Sequence, residues 1–519
     1  MLMAAIVASA LTNSTTPDFD VLRRDWRAGP VVYQVFVDRF VPSANLPAKM
    51  HLIEPPRRWM PWDQKPKAGK LLPEFGVWSH ELEFWGGDLP SLQTKLDYIQ
   101  GLGADVLYLQ PIHKAWTNHK YDAQDYRQIS PELGTRQDLK QLATNLHSRK
   151  MRLVLDGVFN HIGRTSPQFQ NAESDPSSPE RQRFTFGPQY PHGVKSWFGV
   201  RNLVVLNHDS EAVQNDLYTG QNSVVREYLR DGIDGWRLDV AFELGPKVLA
   251  EITKAAHDEK PGSLIVGEIN GYPADWFPEV DGVYNFYAMT LATQMMEGNL
   301  KGRRVARMLE TMVADAGLEN ILRSWLHLDN HDTPRLASRV PRWTDRKLLI
   351  GLQMSLPGSP VVYYGTELGM KGPGDPANRA PMEWARVDKN PPELAWVKQC
   401  IAMRKALPSL QYGEFRALDS DQLLAFVRST DQLKEAAVVI VNPTSRPVRE
   451  TLTVRLGKLM SWGELSDHFT QKRIRVINGI AELDVPARSI QVFRVVTEPN
   501  QGHSPYEKID EKPRFQSGG

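Results

Sequence analysis

Cysteine is all but missing: Cys400 stands alone in a chain of 519 residues. One thiol excludes an internal disulfide and a cysteine-built metal centre, and it tolerates either redox environment. Charge of one sign is lacking too, because 62 basic and 61 acidic residues leave a formal net charge of +1. No long-range field is available to gather nucleic acid or an anionic membrane, so neither is expected as a partner. No apolar run reaches the roughly 20 residues of a membrane-crossing helix, and no integral membrane segment is expected. A phosphate-cradling loop is also absent: Gly372-Pro-Gly374 lacks the strand–loop–helix context and a following Lys-Ser/Thr. What remains is the composition of a soluble globular protein, 41% hydrophobic and 24% charged, long enough for two or three domains.

The first ten residues, Met1-Leu-Met-Ala-Ala-Ile-Val-Ala-Ser-Ala10, resemble the end of a signal peptide with a small-residue pattern at its close. They lack a basic n-region and are shorter than a signal peptide should be. Two readings stand, a truncated start or a frayed leader over residues 1–20, so cytoplasmic and periplasmic or secreted locations both stay open.

Further on, Val31-Val-Tyr-Gln-Val-Phe-Val37 is β-branched and aromatic enough for a strand, ending in Asp38-Arg39-Phe40. A long Pro-rich segment follows, carrying Trp59, Trp62, Trp78 and Trp85 without any period. Loops of that length are usually functional. Its indoles suit stacking on a flat apolar ligand face, or packing on one another to hold the loop.

Strand and helix signals then alternate. Helices are expected over Leu92–Ile99 (closed by Gly101 and Gly103), Leu139–Lys150, Val213–Arg230, Lys247–His257, Gly302–Ala316 and Lys347–Ser355. Strands are expected at Val106–Leu109, Met151–Asp156, Gly232–Ala241, Leu264–Glu268, Val283–Phe286, around Leu326 and at Val361–Tyr364. About eight alternations of this kind predict an α/β protein, a (β/α)8 TIM barrel over residues 21–411. A Ser-, Pro-, Gln- and Phe-rich stretch, residues 163–208, reads as a subdomain inserted after strand three. Short strands separated by turns then predict a C-terminal antiparallel β-sandwich over residues 412–496, and the polar residues 497–519 read as a disordered tail.

Three strand-like runs end in carboxylates: Asp239 in Gly235-Trp-Arg-Leu-Asp239, Glu268 in Leu264-Ile-Val-Gly-Glu268, and Asp332 in Leu328-Asp-Asn-His-Asp332. Arg237 and Asp239, two residues apart, share one strand face. In isolation that pair reads equally as a structural salt bridge or as chemistry that offsets its desolvation. Three carboxylates at the carboxyl ends of barrel strands, where barrel active sites lie, favour chemistry.

With Asp156-Gly-Val-Phe-Asn-His161, Gly235-Trp-Arg-Leu-Asp-Val240, Gly267-Glu-Ile269 and Asp329-Asn-His-Asp332 in that order, the chain resembles the α-amylase family of retaining glycoside hydrolases. Thr117-Asn-His-Lys-Tyr-Asp122, Gly86-Gly-Asp-Leu89 and Tyr363-Tyr-Gly-Thr-Glu-Leu-Gly369 resemble its neopullulanase, cyclomaltodextrinase and maltogenic amylase branch. Departures from the branch are the lack of room for its N-terminal β-domain, Phe242-Glu243 where Asn-Glu is usual, and Leu203-Val-Val-Leu-Asn207 in place of Met-Pro-Lys-Leu-Asn.

The resemblance implies a double displacement on α-1,4-glucosidic bonds of maltooligosaccharides, cyclodextrins or starch fragments. Val240 is similar to members that also cut α-1,6 links. Asp239 is then the nucleophile, Glu268 the acid/base, and Asp332 the third carboxylate that clamps sugar hydroxyls. Arg237 is expected to keep Asp239 ionised, while an apolar strand and carboxylate neighbours raise the pKa of Glu268. Tyr121, His161 and His331 are implied at the sugar being cleaved, Asp375 and Arg379 at the next, and Asp156 as support for Arg237. For each a plainer reading stands beside it: core packing for the ring residues, a surface ion pair for Asp375 and Arg379. No cofactor is required. Asn160 matches a calcium ligand of many members, which leaves calcium open with no metal ligand assigned, since such a site takes six or more oxygens. Oligomeric state is not legible. The alternatives are an α-glucanotransferase, in which a sugar hydroxyl replaces water, and a non-catalytic carbohydrate-binding homologue.

Overall fold

A computed structural model describes residues 17–456 and 461–497, so the signal-like start and nearly all of the polar tail lie outside the described residues. Eight parallel strands close into a barrel: β1 Val32–Val35, β2 Val106–Leu109, β3 Arg152–Gly157, β4 Gly235–Leu238, β5 Leu264–Ile269, β6 Gly282–Asn285, β7 Trp325–His327 and β8 Ser359–Tyr363. The ring runs in chain order, β8 closing on β1 through Val361↔Val32. Because helices cover the outside of such a sheet, its strands are buried on both faces and read as unbroken apolar runs.

Alternation along each strand sorts side chains into two shells. Val32, Val106, Tyr108, Val154, Leu264, Val266, Tyr284, Trp325 and Val361 fill the barrel interior as one cluster. Two residues further along each strand, on the same inward face, come Gln34, Asp156 and Glu268, with Arg237 at the same level of β4 (register Arg237↔Asp156 and Arg237↔Val266). The interior is thus apolar up to its last layer, and there it turns polar. Outside, helices such as Arg136–Ser148 present Leu139, Leu142, Ala143 and Leu146 to the strands. That helix starts at a capping box in which Thr135 Oγ1 accepts from the Asp138 N–H and Asp138 accepts in return.

Several boundaries differ from the sequence reading. The first strand stops at Val35, and Val37–Arg39 forms a 3-10 turn. Instead of one helix over Val213–Arg230 there are two, Glu211–Gln214 and Val224–Arg230, separated by a wide turn at Asn215–Thr219. Gly220 ends that turn where its N–H meets Asn215 O, a position in which a Cβ would stand 2.4 Å from that oxygen. The helix after β4 begins early, at Ala241, and breaks at Gly245 (φ +76°) before Pro246.

Past β3, the strands His161–Gly163 and Leu203–Val205 pair antiparallel and enclose the inserted stretch, whose Phe169, Phe184 and Phe186 rings pack together. At the C-terminal end, β9 Glu414–Ala417, β10 Leu424–Ser429, β11 Ala437–Asn442, β12 Val448–Thr453, β13 Gly463–Asp467, β14 Arg473–Ile477, β15 Ile480–Val485 and β16 Ser489–Val495 form one antiparallel sheet. Its order is β9-β10-β11-β16-β13-β14-β15-β12, and it curls about its own core of Leu423, Val438, Leu465, Leu483 and Phe493. Two fully buried guanidiniums tie this region together: Arg404 donates to Gly29 O, Met354 O and Gly358 O, and Arg428 donates to Ser355 O, Leu410 O and Gly413 O. Among the described residues no helix is long and apolar enough to cross a membrane.

Candidate active site

The polar layer at the top of the barrel opens into a cavity of about 930 Å³ lined by Tyr121, His161, Asp239, Glu268, His331, Asp332, Asp375 and Arg379. Eight of the ten residues singled out in the sequence therefore line one pocket, and the other two, Arg237 and Asp156, lie beneath it. Arg237 is the centre of the arrangement. Its Nη1 lies 2.8 Å from Asp156 Oδ1 and 2.9 Å from Asp239 Oδ1, and its Nη2 lies 2.7 Å from Glu268 Oε1. The sequence reading paired Arg237 with Asp239 and gave it Asp156 as support; the structure adds Glu268, because β4 and β5 are neighbours and both point inward at this layer.

Backbone strain contributes to the same contact. Val240, directly after Asp239, takes φ +48° and ψ +40°, a left-handed conformation that a β-branched residue rarely adopts. The turn aims the Val240 N–H at Glu268 Oε2, 3.0 Å away. Asp156 has no exposure of its own and also accepts from Tyr108 (2.6 Å) and Tyr121 (3.1 Å), so it is the anchor beneath the guanidinium.

Electrostatics here depart from expectation. Burial pushes the Asp239 carboxyl well above the usual carboxylate range; Arg237 pulls it down, and Glu268, Asp156 and Asp332 add to the rise. Arg237 does lower it as charge complementarity requires, but desolvation of a group with three carboxylate neighbours is larger. The histidines move the other way. Burial lowers His161 to about 4 and His331 well below its ordinary value, the latter helped by Arg379 and Arg237. Both are neutral near pH 7 and serve as hydrogen-bonding groups. Gln34 Nε2 lies 3.1 Å from His331 Nδ1, which leaves His331 Nε2 to face Asp332 Oδ2 (3.0 Å) and the Tyr121 hydroxyl (2.5 Å). His161 Nε2 is buried and finds no protein partner.

Tyr121 lies between two imidazoles, its ring 5.5 Å from His331 and 5.7 Å from His119. Asp332 is the most open of the three carboxylates, with 46% of its side chain exposed, and Arg379 reaches it at 3.3 Å. Arg379 also lies 3.5 Å from Asp375 and donates to His331 O. Neither is a lone surface pair. Asn160 Nδ2 donates to Glu243 Oε2 at 3.2 Å. Among the described residues no group of three or more His, Cys, Asp or Glu side chains is placed to hold a metal ion.

The Trp-rich segment divides its tryptophans. Trp85 is buried under Arg39, whose guanidinium lies 3.7 Å from its ring, and Trp59 packs on Phe84; these two hold the segment. Trp78 instead lines the pocket. Lining residues that sequence reasoning did not single out include Glu81, His119, Phe198 and Asn270. His119 was legible, since it sits inside Thr117-Asn-His-Lys-Tyr-Asp122 beside Tyr121, whereas Phe198 carries no local motif.

Comparison with known proteins agrees with this geometry. The chain is 31% identical over 430 residues to an intracellular maltogenic amylase of Bacillus subtilis, covering 79% of this chain and 68% of that one. It is 32% identical over 451 residues to neopullulanase 2 of Thermoactinomyces vulgaris, covering 80% and 70% respectively. Among solved structures, a cyclic α-maltosyl-(1→6)-maltose hydrolase of Arthrobacter globiformis in complex with that sugar superimposes with a TM-score of 0.74 at 28% identity, over 91% of this chain and all of that one. Residues 34–399 match the family described as alpha amylase, catalytic domain. That match spans the barrel from β1 past β8, and on it the chain belongs to the α-amylase family.

Proposed function

We propose that this enzyme cleaves α-1,4-glucosidic bonds, with α-1,6 bonds also within reach, in maltooligosaccharides, cyclodextrins or starch fragments, with retention of configuration. Family membership makes it a glycoside hydrolase acting on α-glucosidic bonds. Asp239 attacks the anomeric carbon while Glu268 gives its proton to the glycosidic oxygen; the C–O bond breaks, and the leaving sugar departs as an alcohol. Glu268, now a carboxylate, takes a proton from water, whose oxygen displaces Asp239 and restores both groups. The carrying observation is the single guanidinium that touches both Asp239 and Glu268. Carboxyls bridged in this way suit the ~5–5.5 Å spacing of a retaining pair rather than the ~6.5–9.5 Å of an inverting one.

Around them, His161 and His331 hydrogen-bond hydroxyls of the sugar at the bond, and Asp332 accepts from others; the unpartnered His161 Nε2 supports this role for His161. Asp375 and Arg379 take the next sugar. The maltogenic amylase and neopullulanase relatives support the substrate class, as does the maltosyl sugar bound by the Arthrobacter hydrolase. No observation favours the transferase over the hydrolase. A non-catalytic homologue would have no need of three carboxylates facing one pocket.

The reading is tested by a product time course on maltotriose, cyclomaltoheptaose, pullulan and soluble starch, beside Glu268→Gln. Glucose, maltose or panose released by the unaltered enzyme alone supports it. Oligosaccharides longer than those supplied mark the transferase, and equal inactivity of both proteins overturns the catalytic reading.

A further inference from the structure

A second cavity, of about 600 Å³, lies apart from the catalytic pocket, between residues 299–301 and the helix Gly302–Ala316. Its volume falls within the ~300–1,000 Å³ of small-molecule sites. Lys301, Arg303, Arg304 and Arg307 line it, and no acidic side chain does. All four are exposed. Arg307 meets Asp419 at 2.8 Å, whereas among the described residues Lys301, Arg303 and Arg304 make no ion pair and no side-chain hydrogen bond. The carboxylates of the same stretch are engaged elsewhere. Asp315 accepts from the Tyr272 hydroxyl, Glu310 from the Ala417 N–H, and Glu297 from Gln294 and Asn299.

This charge runs against the helix that carries it. Lys301 is its N-cap and gives no side-chain cap, and its first turn holds no acidic residue. Cations there face the positive end of the helix dipole. Arg303 and Arg304 also stand four and three residues before Arg307, so like charges are neighbours on the helix surface. Elsewhere in the chain, arginines such as Arg127, Arg136 and Arg183 sit among carboxylates. An anion in the cavity relieves the repulsion, and guanidiniums fork their N–H groups onto the oxygens of a phosphate. Tyr287 and Thr311 complete the lining with a ring face and a hydroxyl, the groups that a sugar stacks upon and hydrogen-bonds.

We propose that this cavity binds a phosphate monoester of a sugar, its phosphate held by Lys301, Arg303 and Arg304 and its ring by Tyr287. A compact cavity in a chain of net charge +1 suits a small anion rather than a polyanion. The site adjoins the catalytic pocket through the start of one helix, since Phe286 lines that pocket and Tyr287 this one. Tyr287 also meets Tyr272, from the segment after the Glu268 strand, with ring centres 5.0 Å apart and planes at 88°. The ester has two sources of the same chemistry, a free sugar phosphate or a phosphate carried on a glucan chain.

Titration calorimetry of the full chain with glucose 6-phosphate and with inorganic phosphate tests this, at roughly 0.15 M salt so that exposed charges are screened. Saturable binding of one glucose 6-phosphate per chain is expected, tighter than that of inorganic phosphate. Arg303→Glu with Arg304→Glu should weaken both on the order of tenfold or more. The double variant puts acids where the helix dipole favours them, so its unfolding midpoint should be no lower than that of the unaltered protein. Tyr287→Ala should weaken glucose 6-phosphate alone, which keeps the test decisive if the double variant folds poorly. Turnover of phosphate-bearing starch against the same starch after phosphatase treatment separates the sources. A preference for the esterified starch that the double variant loses identifies the glucan, and equal turnover identifies the free sugar phosphate. No saturable binding, binding that the double variant retains, or inorganic phosphate bound as tightly as glucose 6-phosphate overturns the proposal. Calorimetry needs no turnover, so failure of the hydrolase reading would leave its result standing.

Discussion

Arg237 holds Glu268, the proposed proton donor, by a 2.7 Å contact between Nη2 and Oε1, and the Val240 N–H holds the other oxygen at 3.0 Å. On the proposed mechanism the first chemical step takes a proton from that carboxyl. Asp239, its neighbour on the same guanidinium, is pushed up by burial and by the surrounding carboxylates. Asp239 therefore feels the charge of Glu268 across the shared guanidinium, a coupling of the two groups, and on the proposed mechanism Glu268 turns off Arg237 toward the glycosidic oxygen to act.

The pH profile follows from that coupling. Asp239 attacks only when ionised, and its pKa is raised, so kcat/KM climbs with pH through an acid limb above the ordinary carboxylate value of about 3.9. Glu268 is one of the causes of the rise. Glu268→Gln removes that charge, and on a glucosyl fluoride, whose leaving group needs no proton, its acid limb should move to lower pH. A limb that stays in place contradicts the coupling.

The histidines make a separate prediction. With His161 lowered to about 4 and His331 lower than ordinary as well, neither titrates near neutrality, so no limb of the profile belongs to them. His161→Asn and His331→Asn should each reduce kcat/KM by roughly tenfold to a hundredfold, the scale of a lost hydrogen bond to substrate, and leave the profile's shape alone. Steady-state kinetics across pH checks both statements.

Asp156 is a matter of stability as much as of chemistry. It is fully buried and receives Arg237, Tyr108 and Tyr121 at once. Asp156→Ala strands a buried guanidinium and should cost about 3–5 kcal/mol, measured by denaturant unfolding, besides abolishing turnover. Asp156→Asn keeps the shape and should recover stability more than activity.

Arg428 tests the junction between the barrel and the C-terminal sheet. It donates to the carbonyls of Ser355, Leu410, Gly413 and Glu414 from a site with no exposure. Arg428→Met leaves those oxygens without a donor and should lower the unfolding midpoint by an amount worth about 3 kcal/mol or more. Turnover of a short substrate per folded molecule should be unchanged, because Arg428 lines no part of the pocket.

Most of the barrel was legible because buried parallel strands announce themselves as apolar runs: Val106–Leu109 and Gly302–Ala316 were read to the residue. Strands such as Gly463–Asp467 and Glu414–Ala417 were not, since their charged positions hide the alternation that burial on one face leaves. The break in Val213–Arg230 escaped notice because its periodicity is helical throughout and only the Gly220 turn interrupts it. The site residues were legible as ordered motifs at strand ends. The contact of Arg237 with Glu268 was not, as it depends on the register of two neighbouring strands. Nor was the wall of the pocket, which joins Pro73 to Arg201 by a fold-level contact that no local pattern records.

Retention is the central claim, and proton NMR of the first maltose released from maltotriose tests it most directly. A double displacement through Asp239 predicts that the α-anomer appears first and mutarotates to the equilibrium mixture afterwards. The β-anomer appearing first would mean that water, and not Asp239, attacks the anomeric carbon, and would contradict the account.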